Sequence, residues 1–228
     1  MTSDTIITAL DLPTVAEAEA LTERMGEAGT FYKIGYQLFP IGGYDLVRGL
    51  SEQGKKTFID AKLLDIGVTV EKGVRSLVTL GADFLTVHAD TDAINGAVQG
   101  RGDDHRLKIL AVTVLTSWDE AVIKEHGLPG PAQELVLRRA EIAKKAGADG
   151  VIASPQEAKA IRAQFGRDFL IVTPGIRPAG AAKDDQKRAA TPRAALDAGA
   201  DHLVIGRPIT AALDPVAALH ALNAEIGG

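Results

Sequence analysis

The sequence predicts an α/β fold, a single (β/α)8 TIM barrel over residues 1–228, and three observations predict it. Eight short, apolar, β-branched runs recur along the chain. Amphipathic stretches of helical spacing separate most of them. The tripeptide Gly-Ala-Asp occurs at Gly81, Gly147 and Gly199, each time between a helical stretch and an apolar run. Strand and helix in alternation imply a parallel sheet, and eight such units in 228 residues fit a closed barrel with short loops. The tripeptide reads as one helix-to-strand turn used three times. An open doubly wound sheet competes, but the first turn, ALDLPT, carries no G-x-G-x-x-G. No linker or change of composition divides the chain.

The first run, TIITAL (5–10), leads to Asp11 at the strand end and then to TVAEAEALTERMGEAG, a helix closing on a glycine suited to its C-cap. FYKIGY (31–36) puts Lys33 late in the second strand. KTFIDA (56–61) continues into KLLDIGVTV, so Asp60 and Lys62 end the third strand and Asp65 lies in the loop beyond. Side chains alternate along a strand, which sets Phe58, Asp60 and Lys62 on one face and Ile59 and Ala61 on the other. With the apolar pair against the helices, the acid and the base project together into the barrel mouth. DFLTVH (83–88) ends on His88, read as structural. LKILAVTV (107–114) precedes Thr116 and Trp118, the tryptophan read as loop packing. The helical AQELVLRRAEIAKKAG leads to DGVIAS (149–154). DFLIVT (168–173) precedes TPGIRPAGAAKDDQKRAATP, and DHLVIG (201–206) runs into GRPIT.

Loops after the last two strands of such barrels often hold a phosphate on backbone amides and a basic side chain. Gly206 permits close backbone approach there and Arg207 a bidentate grip on phosphate oxygens. Lys183, Lys187 and Arg188 read as a solvated face.

Composition narrows the function. Hydrophobic residues make up 46% and charged residues 24%, ordinary for a globular chain, and the net charge of -5 comes with no basic stripe, which argues against nucleic acid. There is no cysteine, which excludes disulfides, thiolate nucleophiles and cysteine-ligated zinc. No signal-peptide pattern and no apolar run of about 20 residues is present, so a cytoplasmic protein with no membrane contact is expected. The five histidines show no metal-binding spacing.

Taken together, Asp60-x-Lys62-x-x-Asp65-Ile66 with Thr69, TPGIRP, DDQ and GRPIT resemble orotidine 5'-monophosphate decarboxylases of the bacterial type, over essentially the whole chain. The resemblance implies decarboxylation of orotidine 5'-monophosphate to uridine 5'-monophosphate in pyrimidine biosynthesis, without metal or organic cofactor. By the same resemblance Lys62 is the proton donor, Asp60 and Lys33 complete an alternating charge array, and Asp65, Ile66 and Thr69 reach the partner's site across a homodimer interface. Asp11 is expected to hold the ribose hydroxyls and Thr116 the pyrimidine edge. Arg177, Gln186, Gly206 and Arg207 are expected at the phosphate, Pro174 in the substrate-binding set, and segment 177–190 as the loop that closes.

One departure stands out. The family commonly reads D-I-P-N-T where this chain has Asp65-Ile66-Gly67-Val68-Thr69, so the following helix is expected to start differently. Two rivals share parts of the pattern. Sugar-phosphate decarboxylases and aldolases of the same superfamily also carry D-x-K-x-x-D, often followed by Ala-Gly, and use magnesium. A non-catalytic phosphate-binding barrel would need the last two loops but not the Lys33, Asp60, Lys62 array.

Overall fold

A computed structural model describes residues 4–128, 130–178 and 190–227. Eight strands close into a parallel barrel in chain order: β1 (Ile6–Ala9), β2 (Phe31–Gly35), β3 (Lys56–Leu63), β4 (Phe84–His88), β5 (Lys108–Val112), β6 (Gly150–Ile152), β7 (Leu170–Thr173) and β8 (His202–Ile205). β1 pairs with both β2 and β8, which closes the ring. Each expected strand is present, most with trimmed ends. Three placements differ from expectation. Asp11 lies two residues past β1, Lys33 is the middle residue of β2, and β3 runs on to Leu63, so Asp60 and Lys62 sit inside it.

Both faces of a parallel sheet are covered, so its strands are apolar throughout and two cores result. Inside the barrel, Ile7, Phe31, Phe58, Phe84, Leu110, Val172 and Val204 pack together. Phe31 and Phe84 meet edge to face at 5.0 Å, and the His202 ring stands 5.2 Å from Phe84. These rings fill the lower barrel. The alternate residues, Ile59, Ala61, Leu85, Ile109 and Ile171 among them, face the helices in the larger outer core.

The Gly-Ala-Asp turns organise the amino-terminal rim. Gly81, Gly147 and Gly199 all have positive φ (81°, 88° and 107°), the conformation that ends a helix without a Cβ clash. Each following aspartate then joins the preceding strand. Oδ2 of Asp83, Asp149 and Asp201 accepts the backbone N–H of Thr57, Ile109 and Ile171 at 2.9, 2.8 and 2.7 Å. Asp149 and Asp201 also pair with Arg101 and Arg162 at 2.5 and 2.6 Å.

Gly67 begins the helix Gly67–Val78, with Ile66 as an uncapped boundary residue of ordinary negative φ (-53°). The glycine has a packing reason. A Cβ at Gly67 would lie 3.0 Å from the Asp92 carbonyl, and one at Gly96 would lie 2.2 Å from the Gly67 carbonyl. The helix thus rests on Thr91–Arg101 at backbone contact. Among the described residues, no helix is long and apolar enough to cross a membrane.

Candidate active site

The carboxyl ends of the strands surround a cavity of about 410 Å³, within the range of small-molecule sites. Asp11, Lys33, Asp60 and Lys62 line one side, Thr116 lies on the β5 side, and Pro174, Arg177, Gly206 and Arg207 line the β7 and β8 side. Phe58 forms part of the floor. The expected alternation in β3 holds: Phe58, Asp60 and Lys62 face the cavity, while Ile59 and Ala61 join the outer core.

The charges form a chain. Lys62 Nζ donates to Asp60 Oδ1 at 2.7 Å, Lys33 Nζ lies 3.5 Å from Asp60 Oδ2, and Lys33 Nζ donates to Asp11 Oδ1 at 3.0 Å. The order is ammonium, carboxylate, ammonium, carboxylate. Gly35 leaves the room this needs, since a Cβ there would stand 3.3 Å from Lys33 Nζ. Burial opposes ionisation of Asp60, but Lys33 and Lys62 outweigh it, and with hydrogen bonds from Lys62 and Thr86 they hold its carboxyl below the usual range. Burial likewise opposes the charge on Lys33, and Asp60 and Asp11 overcome it, raising that ammonium's pKa. Both groups therefore carry full charge at neutral pH in a site sheltered from water.

The backbone at the centre of the array is unusual. Among the described residues, Lys62 is the one non-glycine residue with positive φ (45°). An L-residue held there stores about 1–3 kcal/mol of strain, and such strain gathers at functional sites. The β3–β4 register shifts between Ile59 and Leu63, so this is a bulge. Sequence reading missed the bulge, because no glycine marks it. It also missed Thr86 of β4, whose hydroxyl accepts Lys62 N–H and donates to Asp60 Oδ1, each at 2.9 Å. A mid-strand threonine in an apolar run reads as packing, and its contacts with Asp60 and Lys62 form only across strands, which leaves no local signal.

Asp65, Ile66 and Thr69 do not line this cavity; all three are solvent-exposed. Ile66 is 72% exposed, with Leu64 at 62% and Val68 at 53% beside it, a cluster of bare apolar side chains on one loop and helix start. Gln186, Lys183, Lys187 and Arg188 lie outside the described residues, as does most of segment 177–190. At its two ends, Arg177 N–H donates to the Ala190 carbonyl at 3.0 Å. Trp118 stacks on His126 at 4.3 Å, in line with the loop-packing reading. Burial, with Arg139 and Lys62 nearby, holds the His88 imidazole below its ordinary pKa.

Comparison with known proteins agrees with the barrel fold. Residues 4–222 match the family model described as orotidine 5'-phosphate decarboxylase / HUMPS family. The chain is 56% identical to the orotidine 5'-phosphate decarboxylase of Methylorubrum extorquens (strain PA1), over 98% of this chain and 95% of that one. It is 53% identical to that of Rhodopseudomonas palustris (strain BisA53), over 99% and 95%. The crystal structure of orotidine 5'-phosphate decarboxylase from Lactobacillus acidophilus superposes with a TM-score of 0.87 at 39% identity, covering 99% of this chain and all (100%) of the other. With the family model matching residues 4–222 and the identity running over nearly the whole length, the chain belongs to the orotidine 5'-phosphate decarboxylase / HUMPS family.

Proposed function

We propose that this protein, acting as one barrel domain, decarboxylates orotidine 5'-monophosphate to uridine 5'-monophosphate in pyrimidine biosynthesis, with no cofactor and with Lys62 as the proton donor. The observation that carries the proposal is the Lys33–Asp60–Lys62 array on one side of a cavity that has Arg177 and Arg207 on another. The family model's description names HUMPS beside the decarboxylase, but the relatives compared above are orotidine 5'-phosphate decarboxylases by name, at 53% and 56% identity. The donor set points the same way. Lys33 Nζ fills the space between Asp11 and Asp60, where a divalent ion would need open carboxylate oxygens.

The chemistry asks for charge stabilisation. When the bond from C6 to the carboxyl carbon breaks, its electron pair stays on C6, with no adjacent carbonyl to delocalise it, and carbon dioxide leaves. A fixed ammonium in a water-poor cavity stabilises that pair electrostatically. Lys62 Nζ then gives a proton to C6, and the resulting amine regains one from solvent. Asp60 would sit near the departing carboxylate and keep Lys62 charged, with Lys33 and Thr86 holding it in place.

The remaining roles are those the family resemblance implies. Asp11 takes ribose hydroxyls, Thr116 the pyrimidine edge, and Arg177, Gly206 and Arg207 the phosphate, with Pro174 shaping the pocket beside them and Gln186 adding a contact. Phosphate contacts far from the reacting bond lower the barrier by offsetting the cost of desolvation and ordering. The exposed strip from Leu64 to Thr69 fits a second copy of the chain, carrying Asp65, Ile66 and Thr69 to the partner's cavity in a homodimer.

The test adds orotidine 5'-monophosphate to purified, chelator-treated protein and follows the fall in absorbance. Turnover that survives the chelator supports the proposal. Inactivity toward this nucleotide, or activity that returns only with added magnesium, overturns it.

A further inference from the structure

The Ala61–Lys62 peptide carries the positive φ of Lys62, and it is gripped at both of its polar atoms by side chains from the flanking strands. Its N–H donates to Thr86 Oγ1 at 2.9 Å, from β4. Its carbonyl accepts from Tyr36 Oη at 2.9 Å, from the residue that follows β2. Thr86 is fully buried and its hydroxyl spends its own proton on Asp60 Oδ1, the same oxygen that takes Lys62 Nζ. One hydroxyl therefore fixes the backbone of the ammonium and the side chain of its counter-charge together. Tyr36 makes a second contact as well, since Lys62 Nζ lies 5.7 Å from the centre of its ring.

Neither bond is part of the parallel ladder. The register shifts between Ile59 and Leu63, so the N–H that would face β4 turns to a side chain. A bulge of this kind re-aims a side chain, and a left-handed residue without glycine persists only when its surroundings over-determine it. The two hydroxyls are those surroundings.

We propose that Thr86 and Tyr36 are positioning residues that clamp the Ala61–Lys62 peptide in its left-handed geometry and so aim the Lys62 ammonium at the reacting carbon. The inference rests on the reading of Lys62 as the proton donor. It assigns a role to two residues outside the D-x-K-x-x-D pattern. Thr86 carries the larger share, because it is buried and makes two bonds. Tyr36 is 63% exposed and makes one.

The experiment compares Thr86→Val, Thr86→Ser and Tyr36→Phe with the wild type. Valine keeps the shape of threonine and removes the hydroxyl, whereas serine keeps the hydroxyl. Thr86→Val is expected to lower kcat by about 30-fold or more with KM for orotidine 5'-monophosphate changed by less than about threefold, as for a misplaced preorganised charge. Thr86→Ser is expected to restore kcat to within about threefold, and Tyr36→Phe to cost about three- to tenfold. A second readout needs no turnover: in Thr86→Val the Lys62 amide should lose protection from hydrogen exchange and its 13Cα shift should move toward ordinary negative φ. That readout stands even if the nucleotide proves not to be the substrate, in which case only the assigned reaction falls. Two results would overturn the clamp. One is an unchanged Lys62 amide and 13Cα shift in a folded Thr86→Val protein. The other is Thr86→Ser losing as much kcat as Thr86→Val, which would make the methyl group rather than the hydroxyl the cause.

Discussion

Asp60 lies within β3 and Asp83 in the turn just before β4, both partly buried, yet their acidities move in opposite directions. At the amino-terminal rim, burial dominates for Asp83 and raises its carboxyl pKa, with the Thr57 N–H only partly offsetting it. At the carboxyl-terminal end, burial is overcome for Asp60 by two ammonium groups, and its pKa falls. The rim aspartates spend their oxygens on backbone amides that join strand to strand. Asp60 spends its oxygens on Lys33, Lys62 and Thr86, all side chains, and faces a cavity. One end of the barrel uses carboxylates to hold the fold and the other to hold a charge in place, the division expected where active sites sit at the strands' carboxyl ends.

That division breaks most visibly if Lys62 is removed. Lys62→Ala is expected to lower kcat by about 10⁴-fold or more, since on the proposed mechanism one group supplies both charge stabilisation and the proton. Binding of uridine 5'-monophosphate, measured by calorimetry, should remain, and the melting temperature should move little. Near-normal turnover would remove Lys62 from the mechanism. Arg207→Ala tests the opposite side of the same cavity. A charge-assisted phosphate contact of about 2–4 kcal/mol predicts a kcat/KM lower by about 10²- to 10³-fold, and an unchanged value would contradict the phosphate assignment.

The rim should respond in the other observable. Asp149→Ala leaves the Arg101 guanidinium, whose side chain is 8% exposed, without its partner, and leaves Ile109 N–H without its acceptor. A loss of about 2–4 kcal/mol in denaturant unfolding is expected, with kcat/KM per folded molecule unchanged. A catalytic defect at unchanged stability would erase the contrast between the two ends.

The smallest effect concerns pH. Burial holds the His202 imidazole below its ordinary pKa, and its ring packs on Phe31 and Phe84. Its proton is therefore taken up by the unfolded chain first, so stability should fall as pH drops below the unfolded value of about 6.5, by at most about 1.4 kcal/mol per pH unit. His202→Phe should reduce this slope without abolishing it, because His88 is held low as well. Unfolding curves at several pH values would check this, and an unaltered slope would count against it.

Much of the molecule is legible in its sequence. The eight strands were legible because a sheet buried on both faces demands unbroken apolar runs, and Asp60 and Lys62 were legible because alternation turns two charges in such a run toward the same side. The Gly-Ala-Asp repeat announced a turn, but the bond from each aspartate to the preceding strand joins residues some 26 to 40 positions apart and leaves no local mark. The same holds for Thr86 and Tyr36, which meet residues 61 and 62 only across strands. Gly67 reads in the sequence as a change in how a helix begins, whereas its neighbour in the fold is the carbonyl of Asp92, on a helix the sequence does not bring alongside.

On the proposed mechanism the Lys62 ammonium exchanges a proton with C6 of the pyrimidine. By microscopic reversibility, an enzyme that protonates C6 also removes that hydrogen from bound product. Uridine 5'-monophosphate incubated with the protein in D2O should exchange its C6 hydrogen for deuterium, followed by proton NMR, and Lys62→Ala should not support the exchange while Asp149→Ala should. Exchange at the wild-type rate in Lys62→Ala, or no exchange in the wild type, would contradict the account.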